Sequence, residues 1–130
     1  CPNLAQTYGW PIGSWCVEKV TNMSELFKDL TSFNEDISGW EVGQVTTMKG
    51  MFQGASNFTG NISSWDTSAV TDMSYMFKGA TSFSQNLCDW QNNFPYSNAD
   101  DIFVDSGCTF QGNPQIENQG PFCDSDCTNR

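Results

Sequence analysis

Six cysteines and no histidine bound the chemistry open to this chain. Without histidine, a Ser-His-Asp or Cys-His arrangement for nucleophilic catalysis is excluded. Six thiols in 130 residues point instead to an oxidising compartment and three disulfides formed by Cys1, Cys16, Cys88, Cys108, Cys123 and Cys127. A structural zinc site built from cysteine shows paired short spacings, and only Cys123-x-x-x-Cys127 comes close to one. Cys1 has two readings, a lipid-bearing terminal thiol or a disulfide partner, and the even count favours the disulfide because lipidation would strand one thiol.

Carboxylates and amides supply the remaining candidates. Glu35-Asp36 and Asp100-Asp101 are paired acids, but neighbours on a turn diverge into solvent and do not flank a bond to be cleaved. No catalytic residue, cofactor or metal is therefore expected. Asn34, Asp36, Asn61 and Asn86 recur along the chain, and such side chains ordinarily satisfy turns or form ladders; calcium would need several carboxylates converging. Asn22-Met23-Ser24, Asn57-Phe58-Thr59 and Asn61-Ile62-Ser63 have the form of N-glycosylation sequons. A chain this rich in Asn, Ser and Thr also makes such triplets by chance, so Asn22, Asn57 and Asn61 are acceptors only in a eukaryotic setting.

Fifteen acids against five bases give a net charge of -10, with six acids and three lysines in residues 1–65 and nine acids against Lys78 and Arg130 in residues 66–130. Nucleic acid is not expected as a partner, since phosphate is bound by Lys and Arg that displace its counterions. The acidity reads as solubility and mutual repulsion. No apolar run reaches membrane-spanning length and no signal-peptide pattern is present, so membrane insertion is not expected. A chain that begins at Cys1 instead of Met reads as a processed form or an excised segment.

The elements that position these residues are set by a repeat. Val20-Thr21-Asn22-Met23, Val45-Thr46-Thr47-Met48 and Val70-Thr71-Asp72-Met73 recur every 25 residues. The columns between them hold Leu26/Met51/Met76, Phe27/Phe52/Phe77, Leu30/Ala55/Ala80, Phe33/Phe58/Phe83, Ile37/Ile62/Leu87 and Trp40/Trp65/Trp90. A fixed period of this size is the signature of a solenoid whose units bury their apolar faces against their neighbours. Val-Thr-x-Met is β-prone and predicts a short inward-pointing strand. Met73, Met76, Phe77 and Ala80 are spaced i, i+3, i+4 and i+7, which predicts a short helix, ended or tightened at Gly54 and Gly79 in their copies. The Trp column, Trp15 included, reads as stacked core in preference to a ladder for sugar rings. Tyr8, Trp10, Tyr75 and Tyr96 lie off the columns and are the candidate exposed aromatics.

Ile12, Ser14, Trp15 and Val17 fall in the columns of Ile37, Gly39, Trp40 and Val42, so residues 1–19 read as an N-terminal cap, 20–94 as three full repeats, and 95–130 as a degenerate turn and C-terminal cap of one domain. Within the degenerate turn Ile102-Phe103 matches Met76-Phe77, Ser106 matches Ala80, and Phe110 stands near the Phe83 column.

The run Val70-Thr71-Asp72-Met73-Ser74-Tyr75-Met76-Phe77-Lys78-Gly79-Ala80-Thr81-Ser82-Phe83 resembles the leucine-rich-repeat-like motif of BspA-type surface proteins, also seen in mycoplasma lipoproteins and in secreted proteins of algae and other protists. The resemblance covers residues 12–94. Period and resemblance together give the expected fold, α/β, a short leucine-rich-repeat-like solenoid with stacked short parallel strands and short helices; the disulfide-bearing caps and the brevity of three full repeats are where this chain departs from the longer arrays of the family. The resemblance also implies a secreted or surface-anchored, non-catalytic protein that adheres to proteins or host surfaces; it defines no binding residue to carry over.

The expected disulfides are Cys1–Cys16 in the N-terminal cap, Cys88–Cys108 and Cys123–Cys127, with Cys108–Cys123 as the competing pair and an intermolecular bond from Cys1 as a further alternative. The functional expectation is surface adhesion or self-assembly into extracellular structures, filaments included. The alternative is a monomeric module that binds a protein or a glycan. The expected partners are thus other copies of the chain, or surface proteins and glycans.

Overall fold

The computed structural model describes residues 11–128. The expected α/β solenoid of stacked strands and short helices is not the architecture found. The described residues form only three short 3₁₀ segments, Ile12–Ser14, Cys88–Asn93 and Tyr96–Asn98, and otherwise turns and loops. The β-character of Val-Thr-x-Met shrinks to isolated parallel bridges, Asn22 with Thr47 and Thr47 with Asp72. Neither an α-helix nor a multi-residue strand occurs among them.

The backbone shows why the helix fails. In each copy two residues four apart are left-handed: Glu25 (φ 57°) and Asp29 (φ 61°), Gly50 (φ 64°) and Gly54 (φ 73°), Tyr75 (φ 61°) and Gly79 (φ 77°), Asp101 (φ 56°) and Asp105 (φ 60°). A helix needs every N–H aimed back along its own axis, and a left-handed residue breaks that alignment. Alternate N–H groups here bond locally, Met76 to Met73 O at 3.2 Å and Lys78 to Tyr75 O at 3.2 Å. The groups between them reach forward to the next copy: Tyr75 N donates to Asp100 O at 2.9 Å, Phe77 N to Ile102 O at 2.9 Å and Gly79 N to Val104 O at 3.0 Å. Met73, Met76, Phe77 and Ala80 thus share a buried side without a helix behind them. Strands fail for a related reason, since turns at Val42–Val45 and Met48–Met51 leave little extended backbone between them.

The 25-residue register still organises these loops. Met23, Glu25, Phe27 and Asp29 donate to the carbonyls of Thr47, Lys49, Met51 and Gln53, and Met48, Gly50, Phe52 and Gly54 to those of Asp72, Ser74, Met76 and Lys78. Thr46 and Thr71 add hydroxyl bonds at 3.1 Å to the carbonyls of Thr21 and Thr46.

Packing follows the same columns. Phe27, Phe52, Phe77 and Phe103 stack with centroids 5.5, 5.7 and 5.9 Å apart, and Phe33, Phe58 and Phe83 form a second stack at 5.9 Å. The stacks touch within each copy, as in Phe52–Phe58 at 4.2 Å. Offset stacking of buried rings adds to the area they remove from water. Trp40 and Trp65 are buried and donate through Nε1 to Ile12 O at 2.9 Å and Ile37 O at 3.2 Å. Trp90 is buried as well, but its Nε1 lacks a partner among the described residues. Trp40, Trp65 and Trp90 are thus part of the core, and Trp15 packs against it only partly buried.

After Phe94 the register gains a residue, so that Ile102, Phe103 and Ser106 are buried 26 positions after Met76, Phe77 and Ala80. Phe110 does not re-enter the Phe83 column; it is exposed, and Phe122 fills the core beside Phe94 at 4.8 Å and Tyr96 at 6.2 Å.

Candidate functional site

Two of the three sequon residues, Asn22 and Asn61, sit on tight turns of one kind. Asn61 Oδ1 accepts from Ser63 N at 3.0 Å and from Ser63 Oγ at 2.7 Å. Asp36 with Ser38, Asp66 with Ser68 and Asp126 with Thr128 repeat that geometry. Asn22 and Asp72 make the backbone half of it with Ser24 N and Ser74 N. An Asx side chain followed two residues later by a hydroxyl is a local turn device, so Asn22-Met23-Ser24 and Asn61-Ile62-Ser63 have a structural reason to exist. The hydroxyl bonds hold the Asp36, Asp66 and Asp126 carboxyls below the usual carboxylate range, with the serine or threonine backbone N–H adding to the effect. Asn57 differs. Its partner hydroxyl on Thr59 turns to Asn34 Oδ1 at 3.2 Å, with Thr59 N at 2.9 Å. Asn22, Asn57 and Asn61 are all exposed.

Four of the cysteines gather at the C-terminal end in a pairing that corrects the expected one. Cys88 bonds Cys127 across 39 residues and Cys108 bonds Cys123 across 15, with Cα separations of 5.7 and 4.6 Å. The competing pair Cys108–Cys123 is thus the one formed, and Cys88–Cys108 and Cys123–Cys127 are not. Asp124, next to Cys123, explains the arrangement: it accepts Ser84 Oγ at 2.6 Å and Thr109 N at 3.2 Å, and its own N–H donates to Gln85 O at 3.1 Å. The tail is thereby laid against the third copy, which brings Cys127 to Cys88. Cys16 is disulfide-bonded; Cys1, like Tyr8 and Trp10, lies outside the described residues. The disulfides are those of a protein outside the reducing cytoplasm.

Two surface features stand apart from the turns. A groove of about 430 Å³ beside Trp40 and Trp65 is walled by Glu18, Glu41 and Asp66, with Ser38 and Ser64 at its rim. Elsewhere Lys49 Nζ and Lys78 Nζ stand 6.0 and 5.5 Å from the Tyr75 ring centroid. Tyr75 is half-buried, and Tyr96, the other off-column tyrosine described, donates its hydroxyl to Gln91 O at 2.9 Å while burial pushes that phenol up. Glu35 and Asp36 point into solvent as adjacent residues. Among the described residues no group of three or more His, Cys, Asp or Glu converges to hold a metal, and no helix is long and apolar enough to cross a membrane.

The two ends of the ladder are chemically unlike. At the C-terminal end Asp101 N donates to Asn113 Oδ1 at 2.9 Å and Asp105 N to Gln111 Oε1 at 3.1 Å. These side-chain amides stand where the next copy's carbonyls would be, and Gln111 is itself held by the carbonyls of Ser106 and Cys108. At the N-terminal end the carbonyls of Asn22, Ser24, Leu26 and Lys28 occupy the acceptor columns of Thr47, Lys49, Met51 and Gln53, but receive no donor among the described residues. Leu26 and Leu30 are 46% and 48% exposed, although their counterparts Met51, Met76, Ala55 and Ala80 are fully buried. Val20 is exposed beside them. The sequence reading missed Gln111, Asn113, Leu26 and Leu30. For Gln111 and Asn113 the available signal was that no Val-Thr-x-Met block follows the turn at 99–106.

The family described as "Mycoplasma protein of unknown function, DUF285" matches residues 3–115. No curated protein and no solved structure matches the chain.

Proposed function

Because the chain belongs to that family of Mycoplasma proteins of unknown function, we propose its function from its own surface: it is a non-catalytic, secreted or surface-borne protein that adheres to other proteins. The observation that carries this reading is the exposure of Val20, Leu26 and Leu30 in columns that every later copy buries. Apolar side chains grouped on one surface gain by being covered. The expected resemblance to BspA-type surface proteins supports the same reading. The paired cysteines agree with an extracellular setting, where the exposed Asn22, Asn57 and Asn61 would carry glycans in a eukaryotic cell.

Self-assembly is the second reading, and the exposed leucines favour it equally; the closed C-terminal end counts against a filament built by stacking unlike ends. Beads coated with the non-reduced chain test adhesion against the surface of the cells that produce it. Retention is expected to fall at least tenfold for beads carrying the Leu26→Asp/Leu30→Asp chain. Equal retention of both coatings would defeat the reading, and particle mass rising with concentration in light scattering would replace it with assembly.

A further inference from the structure

The left-handed pairs of the ladder divide by charge. In the first copy they are Glu25 and Asp29 and in the fourth Asp101 and Asp105, all acids, whereas the second copy has Gly50 and Gly54 and the third Tyr75 and Gly79. Glycine takes this conformation without strain and aspartate tolerates it. Tyrosine does so only at a cost, because its Cβ crowds the following carbonyl, and such outliers cluster where function holds them. Gly50, in the same column one copy earlier, is the unstrained choice that Tyr75 forgoes. From that column Glu25 meets Lys28 Nζ at 2.9 Å, but the Tyr75 hydroxyl has no hydrogen-bond partner among the described residues.

Two cations gather on the Tyr75 ring. Lys49 Nζ and Lys78 Nζ stand 6.0 and 5.5 Å from its centroid. That is the outer limit of a cation–π contact, about 6 Å, so their N–H donors remain unspent. Neither lysine has an acid partner among the described residues, in a chain of fifteen acids and five bases. Asp72, close by in sequence, is turned to Ser74 N at 2.9 Å. The glycines keep other carboxylates away. A Cβ on Gly79 would stand 3.5 Å from Gly54 N, so these two lie against each other in the column that carries Asp29 and Asp105 in the outer copies.

We propose that Lys49, Tyr75 and Lys78 form a binding site for a sugar ring that bears one oxyanion, either a sulfate ester or a ring carboxylate. The oxyanion takes charge-assisted hydrogen bonds from the two ammonium groups. The C–H face of the sugar lies on the Tyr75 ring, whose negative face attracts it. A bare anion would leave the ring uncovered, and a neutral sugar would leave both ammonium groups unanswered. A long polyanion does not fit either. The acid-free window spans two copies, about 10 Å at the spacing of stacked chains, and ends at Glu25 and Asp29 on one side and at Asp101 and Asp105 on the other. The inference goes beyond the adhesion reading and uses neither Leu26 nor Leu30.

Glucuronate and a sulfate monoester of glucose are titrated into the full, non-reduced, isotope-labelled chain and followed by amide NMR, with glucose, inorganic sulfate and a triglutamate peptide as comparisons. Saturable shifts are expected at Lys49, Tyr75 and Lys78, with affinity for the acidic sugars at least tenfold above that for the three comparisons. Tyr75→Gly installs the residue the column accepts without strain, so it keeps the fold, and it should lower that affinity at least tenfold. Lys49→Gln/Lys78→Gln should do the same, whereas Lys19→Gln removes a charge elsewhere and should change nothing. Binding of one acidic sugar and not the other supports the proposal and identifies the oxyanion. Absence of saturable binding by both overturns it, as does unchanged affinity in Tyr75→Gly. Inorganic sulfate, glucose or the peptide bound as tightly also overturns it, in favour of a plain anion contact, a neutral-sugar site or an acidic polypeptide respectively.

Discussion

The side chain of Asn113 accepts the backbone N–H of Asp101 at 2.9 Å, in the place that the Asp100 carbonyl fills for Tyr75. A polar side chain thus ends a main-chain ladder that would otherwise run on. Leaving a partly buried donor without its acceptor costs about 1–2 kcal/mol. Asn113→Ala and Gln111→Ala are each expected to lower stability by about that amount in urea unfolding, with the slope unchanged, and to speed hydrogen exchange at Asp101 or Asp105 respectively. Exchange unchanged in both variants would show that these amides do not close the ladder.

Phe58 lies fully buried between Phe33 and Phe83, both 5.9 Å away, whereas Phe110 is 36% exposed. Phe58→Ala is expected to cost about 3–5 kcal/mol through lost burial and the cavity left behind. Phe110→Ala should cost less than half as much, since about a third of its surface already meets water. Chemical denaturation compares the two directly, and similar losses would mean that the sequence's column for Phe110 was the true one.

Much of the packing was legible, because the Phe, Met, Ile and Trp columns recur without a gap and side chains in one column must meet. The secondary structure was not. Spacing of Met73, Met76, Phe77 and Ala80 at i, i+3, i+4 and i+7 marks residues on one side of the chain, and a helix is only one backbone that does this. Left-handed Gly50, Gly54 and Gly79 gave a hint, but Glu25, Asp29, Tyr75 and Asp101 adopt the same conformation with side chains that do not announce it. The cysteine pairing depended on how Asp124 lays the tail against Ser84 and Gln85, a long-range contact that no local pattern encodes.

Two disulfides at one end should dominate the stability of that end. Digestion of the non-reduced chain with a protease specific for aspartate, followed by mass spectrometry, is expected to yield Cys88–Cys127 and Cys108–Cys123 fragments. Cys88→Ser/Cys127→Ser should cost about 4 kcal/mol on the chain-entropy account of its 39-residue separation, and Cys108→Ser/Cys123→Ser about 3 kcal/mol for 15 residues. A Cys123–Cys127 fragment would contradict the arrangement.

Acid should loosen the Asx turns. Asp36, Asp66 and Asp126 have folded carboxyls held below the usual carboxylate range because Ser38, Ser68 and Thr128 donate to them. A depressed folded pKa contributes stability that is present above the unfolded value and lost as pH falls through the folded one. Stability is therefore expected to hold above about pH 4 and to decline below it, and the decline should be shallower in Asp36→Asn/Asp66→Asn, where an amide oxygen accepts the same bonds at any pH, as Asn61 does. An identical acid limb in both chains would remove these turns from the explanation.

The adhesive end stands or falls on whether Leu26 and Leu30 meet solvent in the intact chain. Methyl NMR spectra recorded with a soluble nitroxide measure this, using the methyls of Met51, Met76, Ala55 and Ala80 from the same columns as internal references. The expected result is strong broadening at Leu26 and Leu30 and none at the four references. Leucine methyls as sharp as the references would mean that the end is already covered, and would contradict the account.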